Sequence, residues 1–180
     1  MKYTIKNLQA EQREGIKRKY LYFWGHQPTK DGQISRSCLS QWWQQAFEVE
    51  HAIYPTAEHW MMAEKARLFE DQEIYEKILK AKHPHEAKKL GRQVRNFNQQ
   101  QWEAHRYQFV LQGNLYKFGQ NDELKTYLLN TGNSIIVEAS PVDRIWGIGL
   151  KGIDPRAQNM EKWTGLNLLG FALMEVRDKL

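Results

Sequence analysis

Cysteine is all but missing, since Cys38 stands alone in 180 residues. One thiol excludes a disulfide framework within the chain and any cysteine-rich zinc site. The six histidines do not fill the gap. His83 and His85 flank Pro84, a poor arrangement for sharing one ion, and no other pair has ligand spacing, so no metal is expected. No apolar run approaches the length of a membrane span. Met1 to Ala10 lacks the apolar core of a secretory signal. Together these absences lead to the expectation of a cytoplasmic protein. Internal repeats, linkers and low-complexity segments are missing as well. The formal net charge of +5 favours phosphate-bearing partners. It is not drawn into a basic stripe interleaved with aromatics, the footprint of a nucleic-acid binder.

What is present suits one ordinary domain. Hydrophobic residues make up 41% of the chain, and seven tryptophans give the core unusual aromatic weight. Residues 1–19 are polar and charged and end in Lys17-Arg18-Lys19, which reads as a basic arm or edge element outside a domain spanning 20–180. Tyr20 to Trp24 reads as a short strand. Phe47 to Tyr54 alternates apolar and polar residues and reads as one half-buried strand. Asp71, Pro84, Gln99 and Asp122 mark the starts of successive helices. Ile135-Ile136-Val137 reads as a short buried strand, and Asn167 begins a last helix with a clean apolar stripe. The pattern is an α+β fold, predominantly helical, with few short strands.

The organising element is the helix expected after Pro55-Thr56. Thr56 is a suitable N-cap, because its hydroxyl can accept from a free N–H of the first turn. Glu58, Met62, Lys65 and Phe69 fall at i, i+4, i+7 and i+11, so one stripe mixes an acid and a base with large apolar groups. Such a stripe is either half-exposed, with both charges solvated, or the floor of a cleft with Glu58 and Lys65 facing a ligand. Glu58 lies in the first turn, where the macrodipole favours the ionised carboxylate. Two further stretches carry candidate contacts. Arg92 and Arg95, if helical, are i, i+3 neighbours able to share one anion. Ser140 to Gly149 follows a strand and holds Asp143 and Trp146.

Several stretches then read together: Leu39-Ser40-Gln41-Trp42; Tyr54-Pro55-Thr56-Ala57-Glu58-His59-Trp60 with Lys65-Ala66 and Phe69; Gly91-Arg92; Gly113-Asn114-Leu115-Tyr116-Lys117-Phe118; Val137-Glu138-Ala139-Ser140 with Asp143-Arg144-Ile145-Trp146-Gly147; and Gly165-Leu166-Asn167-Leu168-Leu169-Gly170. From about Tyr22 to the C-terminus this ordered set resembles the NADAR family. The resemblance implies a compact, mainly helical α+β domain that hydrolyses N-glycosidic bonds. Two substrate types come with it: phosphoribosylamino-pyrimidine intermediates of riboflavin biosynthesis, and ADP-ribose attached to guanine, including in nucleic acid. It implies Glu58 as the catalytic acid residue and Trp102 and Trp146 as active-site aromatics, with Lys65 and Asp143 at further motif positions. Gln41 and Asn167 fall among the implied substrate contacts. Many relatives read Leu-Ser-Asn-Phe where this chain has Leu39-Ser40-Gln41-Trp42, which moves the amide by one methylene. The family does not account for residues 1–19.

The chemistry so implied needs neither a cofactor nor a metal. Breaking a C1′–N bond builds positive charge on the sugar. A carboxylate beneath C1′ stabilises that charge and can direct water. Lys65 offers a second route, in which an amine of lowered pKa attacks the sugar carbon and forms an imine that water resolves. Trp102 and Trp146 would stack on the base, Arg92 and Arg95 would clamp phosphate or pyrophosphate, and Asp143 would bind ribose hydroxyls or the leaving base. The alternatives are a non-catalytic ADP-ribose-binding module and a nucleic-acid-binding protein. Nothing in the sequence sets an oligomeric state.

Overall fold

A computed structural model describes all residues, Met1–Leu180. It contains seven α-helices and four short strands. By its internal contacts the chain divides into two units, residues 41–122 and residues 1–40 with 123–180.

The first unit is built around α2 (Ala57–Leu68), entered through a hairpin of β2 (Phe47–Val49) and β3 (Ala52–Tyr54). The alternation over Phe47 to Tyr54 therefore belongs to two antiparallel strands rather than the single strand expected. Phe47 pairs with Tyr54 and Val49 with Ala52. Glu50 and His51 both take positive φ, at 50° and 66°, which makes the two-residue reversal. Glu-His is not an Asn-Gly type turn signal, so the reversal has no local marker. The turn also switches parity: Phe47 and Tyr54 are both buried, whereas Ile53 is left exposed.

Thr56 caps α2 as expected, its Oγ1 accepting from the His59 N–H. Every residue from Ala57 to Ala63 is buried. Three helices pack around this one: α3 (Gln72–Lys80), α4 (Pro84–Gly91) and α5 (Gln99–Gly119). Two glycines permit the approach. A Cβ on Gly91 would lie 2.1 Å from Met62 Sδ, and one on Gly113 would lie 2.3 Å from the Trp60 ring. Trp60 donates its Nε1–H to the Phe109 carbonyl at 2.8 Å and packs edge-on against Tyr54 and Tyr116.

In the second unit, β1 (Tyr20–Phe23) runs parallel to β4 (Ile135–Glu138), with Tyr20 opposite Ile135 and Phe23 opposite Glu138. The last helix, α7 (Leu168–Arg177), packs on β4 and is buried along its whole length. Leu124 and Leu128 of α6 (Asp122–Asn130) are buried, as their spacing suggests. Residues 1–19 hold a helix, α1 (Ile5–Arg13), capped by Thr4. Leu8 is buried, and the Tyr3 hydroxyl donates to Asp178 Oδ2 at 2.7 Å. The Lys2 main-chain N–H donates to Glu175. The polar composition of this segment hid a docked helix, because two apolar side chains suffice to anchor it. No helix of the protein is long and apolar enough to cross a membrane.

Candidate active site

Glu58 sits in the first turn of α2 and is only 3% exposed, so the solvated alternative does not hold for it. Its main-chain N–H donates to the Gln41 carbonyl at 3.0 Å, which ties the Leu39-Ser40-Gln41-Trp42 stretch to the start of the helix. The Gln41 side chain is buried too, and its Oε1 accepts from Asn114 Nδ2 of α5 at 2.8 Å. Next to Glu58, His59 is fully buried: Nδ1 lies 2.8 Å from Thr56 Oγ1, and Nε2 lies 3.1 Å from the Ala81 carbonyl. A carbonyl accepts only, so Nε2 carries the proton and Nδ1 accepts from Thr56. Burial lowers the His59 pKa, keeping a neutral ring that braces the helix start.

Lys65 lies two turns further on, a rise of roughly 10 Å from Glu58. Its ammonium donates to the Gly91 carbonyl at 2.8 Å, a contact made available by the close approach of α4. It stands 4.2 Å from the centre of the Phe97 ring and 5.6 Å from that of Trp102. Burial pushes the Lys65 pKa down, and the nearby positive charge of Arg92 adds to the shift. The result is a half-buried amine against two aromatic faces, with a lone carbonyl as acceptor. A neutral amine there is a competent nucleophile.

The expected arginine pair does not form. α4 ends at Gly91, so Arg92 and Arg95 do not share a helix. Arg95 instead binds the buried Asp71, with Nη2 to Oδ1 at 2.6 Å and Nε to Oδ2 at 3.1 Å, and adds Glu73 at 3.3 Å. The hydrogen bonds from Arg95 hold the Asp71 carboxyl far below the ordinary range, while Asp71 also caps α3. The Arg95 guanidinium is thus committed to a structural ion pair, and Arg92 is the member placed beside Lys65.

In the unit of 1–40 and 123–180, Asp143 and Trp146 occupy one tight turn. Asp143 Oδ1 accepts the N–H groups of Ile145 and Trp146, both at 2.8 Å. The Gly149 N–H closes the loop on the Asp143 carbonyl at 3.1 Å. Asn167 departs from the expected substrate contact. It caps α7 with φ 53° and is fully buried. Its Oδ1 accepts from the Glu138 N–H at 3.0 Å and its Nδ2 donates to the Ile136 carbonyl at 2.9 Å, so both ends of its amide are bound to β4.

Sequence reasoning gave no role to Asn114, Phe97 or Lys117. Asn114 and Lys117 are fully buried polar residues of α5. Their three-residue spacing within the Gly113–Phe118 stretch was the available signal, since polar groups rarely occupy a buried helix face without a partner or a task. Phe97 precedes its helix in an irregular segment and carried no signal. No three His, Cys, Asp or Glu side chains are gathered in a way that could hold a metal ion.

One helix, α2, thus carries a buried carboxylate, Glu58, and a half-buried amine of lowered pKa, Lys65, in a mainly helical α+β protein. The chain belongs to the NADAR family: the NADAR domain model matches residues 22–180. It is 43% identical over 166 residues to an N-glycosidase of Acanthamoeba polyphaga mimivirus, covering 89% of this chain and 96% of that one. It is 32% identical over 133 residues to the N-glycosidase YbiA of Escherichia coli, covering 74% of each. The NMR structure of E. coli YbiA superposes with a TM-score of 0.72 at 26% identity, over 91% of this chain and 86% of that one.

Proposed function

We propose that the protein hydrolyses the C1′–N bond of ribosylated bases that carry a phosphate or an ADP-ribose. The enzyme class rests on its relatives: several that are 30–43% identical are named N-glycosidases, and this chain is a hydrolase of that class. The finer reading rests on one observation, the placement of Glu58 and Lys65 on α2. Glu58 is buried in the first turn, where the helix dipole favours negative charge. A carboxylate there suits the oxocarbenium-like charge that develops at C1′ and can direct the attacking water.

Lys65 supplies the alternative route. Its neutral amine would attack C1′, the base would leave with the bonding electrons, and opening of the ring would give an imine that water hydrolyses. Trp102 would present its face to the base, a kind of stacking worth roughly 1–3 kcal/mol. Arg92, beside Lys65, would attract the phosphate. Both phosphoribosylamino-pyrimidines and ADP-ribosylated guanine meet these requirements, and a cytoplasmic setting suits both. The part played by the Asp143–Trp146 turn is tested separately, by turnover of Trp146→Ala at an unchanged thermal midpoint.

The test is incubation of purified protein with a phosphoribosylamino-pyrimidine and with an ADP-ribosylated guanine oligonucleotide, following base release by chromatography. Release from one of them is expected and names the substrate class. Retention of either ligand without release would replace the hydrolase with an ADP-ribose-binding module.

A further inference from the structure

Asn114 stands in the middle of α5, fully buried. Its Nδ2 spends both hydrogens, one on the Val110 carbonyl a turn earlier and one on Gln41 Oε1, each at 2.8 Å. A main-chain carbonyl can only accept, so Val110 fixes which end of the Asn114 amide is nitrogen. With that nitrogen fixed, Gln41 must turn its oxygen towards Asn114. The Gln41 Nε2 is then directed away from Asn114, buried, and without a hydrogen-bond partner in the protein. Reversing the Gln41 amide would set nitrogen against nitrogen, so no flip relieves it. Asn114 Oδ1 is buried without a partner as well. Buried amide donors are nearly always satisfied, and an exception asks for a reason. Here the exception belongs to the residue whose main-chain carbonyl receives the Glu58 N–H at 3.0 Å.

We propose that Asn114 is a positioning residue that locks Gln41 with Nε2 as a donor to a carbonyl oxygen on the leaving base of the substrate. This rests on the N-glycosidase reading above. A ribose hydroxyl donates as readily as it accepts and pairs naturally with the Glu58 carboxylate. A carbonyl oxygen only accepts, which matches a nitrogen that only donates. When the C1′–N bond breaks, its electron pair goes to the base nitrogen and delocalises onto the conjugated carbonyl oxygen. Water then gives hydroxide to C1′ and its proton to the base. A donor already held in place stabilises the departing base without reorganisation. The site therefore selects bases with a lactam carbonyl over bases with only an exocyclic amine.

A double-mutant cycle with Gln41→Met and Asn114→Ala tests this, read as kcat and KM on matched substrates with carbonyl-bearing and amine-only bases. Each single change is expected to lower kcat on the carbonyl substrate about 10- to 100-fold, the cost of one buried hydrogen bond. The double variant is expected to be no worse than Gln41→Met, because Asn114 acts through Gln41. The preference for the carbonyl base should shrink in all three. Additive losses, or equal losses on both substrates, would overturn the proposal. If Asn114→Ala does not fold, Asn114→Ser takes its place. If the wild type releases neither base, the N-glycosidase reading falls, and the positioning claim is decided by NMR. The Gln41 side-chain amide should then give one well-resolved proton pair that moves in the Asn114 variant, and an unmoved pair would overturn it.

Discussion

Lys65 shows how burial sets chemistry at the scale of one side chain. Its pKa is lowered from the ordinary lysine value, first by burial and then by the nearby charge of Arg92. The neutral, nucleophilic amine therefore becomes more populated as pH rises through that lowered value. If the imine route operates, turnover at saturating substrate should rise with pH over that range, and borohydride added during turnover should leave a sugar adduct on Lys65 detectable by mass spectrometry. A flat profile with no adduct would leave direct attack of water guided by Glu58. The two arginines separate in the same way. Arg92→Ala should raise KM for a phosphate-bearing substrate about tenfold through loss of a charge-assisted contact. Arg95→Ala should leave KM unchanged and lower the thermal midpoint, because its guanidinium is bound to Asp71. A raised KM in Arg95→Ala would contradict the structural assignment. His59 gives a pH dependence of stability. Burial holds its folded pKa below the ordinary histidine value, so on acidification the unfolded chain takes up the proton first. Stability should fall as pH drops below about 6.5, and calorimetry at pH 7.5 and 5.5 should show less of this fall in His59→Gln.

Elements set where these side chains stand. Gly91 and Gly113 bring α4 and α5 against α2, and the first of these contacts delivers the carbonyl that holds Lys65. Alanine at 113 gains about 1 kcal/mol of helix propensity. It also drives a methyl into a rigid indole, an overpacking that costs about 1–3 kcal/mol. Chemical denaturation of Gly113→Ala should therefore show a net loss of stability, and an unchanged or raised midpoint would mean that Trp60 yields freely. The helix starts were legible in the sequence because caps are local: the Thr56 and Asp71 side chains each accept an N–H within a turn of themselves. Three features were not legible. The reversal at Glu50-His51 carries no turn residue, and it shifts parity while preserving the look of alternation. Asp71 reaches Arg95 across 24 residues, a tertiary choice that spacing does not encode. Asn167 looks like a free amide in a motif until the backbone of β4 is placed beside it. Glu58 and Lys65 were legible as an anomaly, an acid and a base on a stripe with Met62 and Phe69. Their burial came from the three helices around α2, which no periodicity in α2 itself reports.

At the scale of the whole molecule, residues 1–21 precede the matched family domain, yet Leu8 of α1 is buried, and Lys2 and Tyr3 just before α1 bind Glu175 of the last helix and its C-cap Asp178. These contacts predict that the arm contributes stability to its own unit. Removing residues 1–19 should lower the thermal midpoint while leaving the turnover of surviving folded protein near that of the full chain. Loss of turnover in a fully folded truncation would show that the arm does more. The net charge of +5 belongs to this scale too. It would attract a phosphate-bearing substrate of the proposed kind over a Debye length without choosing among bases, so association should weaken modestly with salt while base selectivity stays constant.

The most direct measurement compares base release by the wild type and by Glu58→Gln on the same ribosylated substrate, with the fold of both checked by circular dichroism. The expected result is release by the wild type and a loss of at least about a hundredfold in the folded variant, since a carboxylate facing the developing charge at C1′ has no neutral substitute. Undiminished release by a folded Glu58→Gln would contradict the account and move the chemistry away from the first turn of α2.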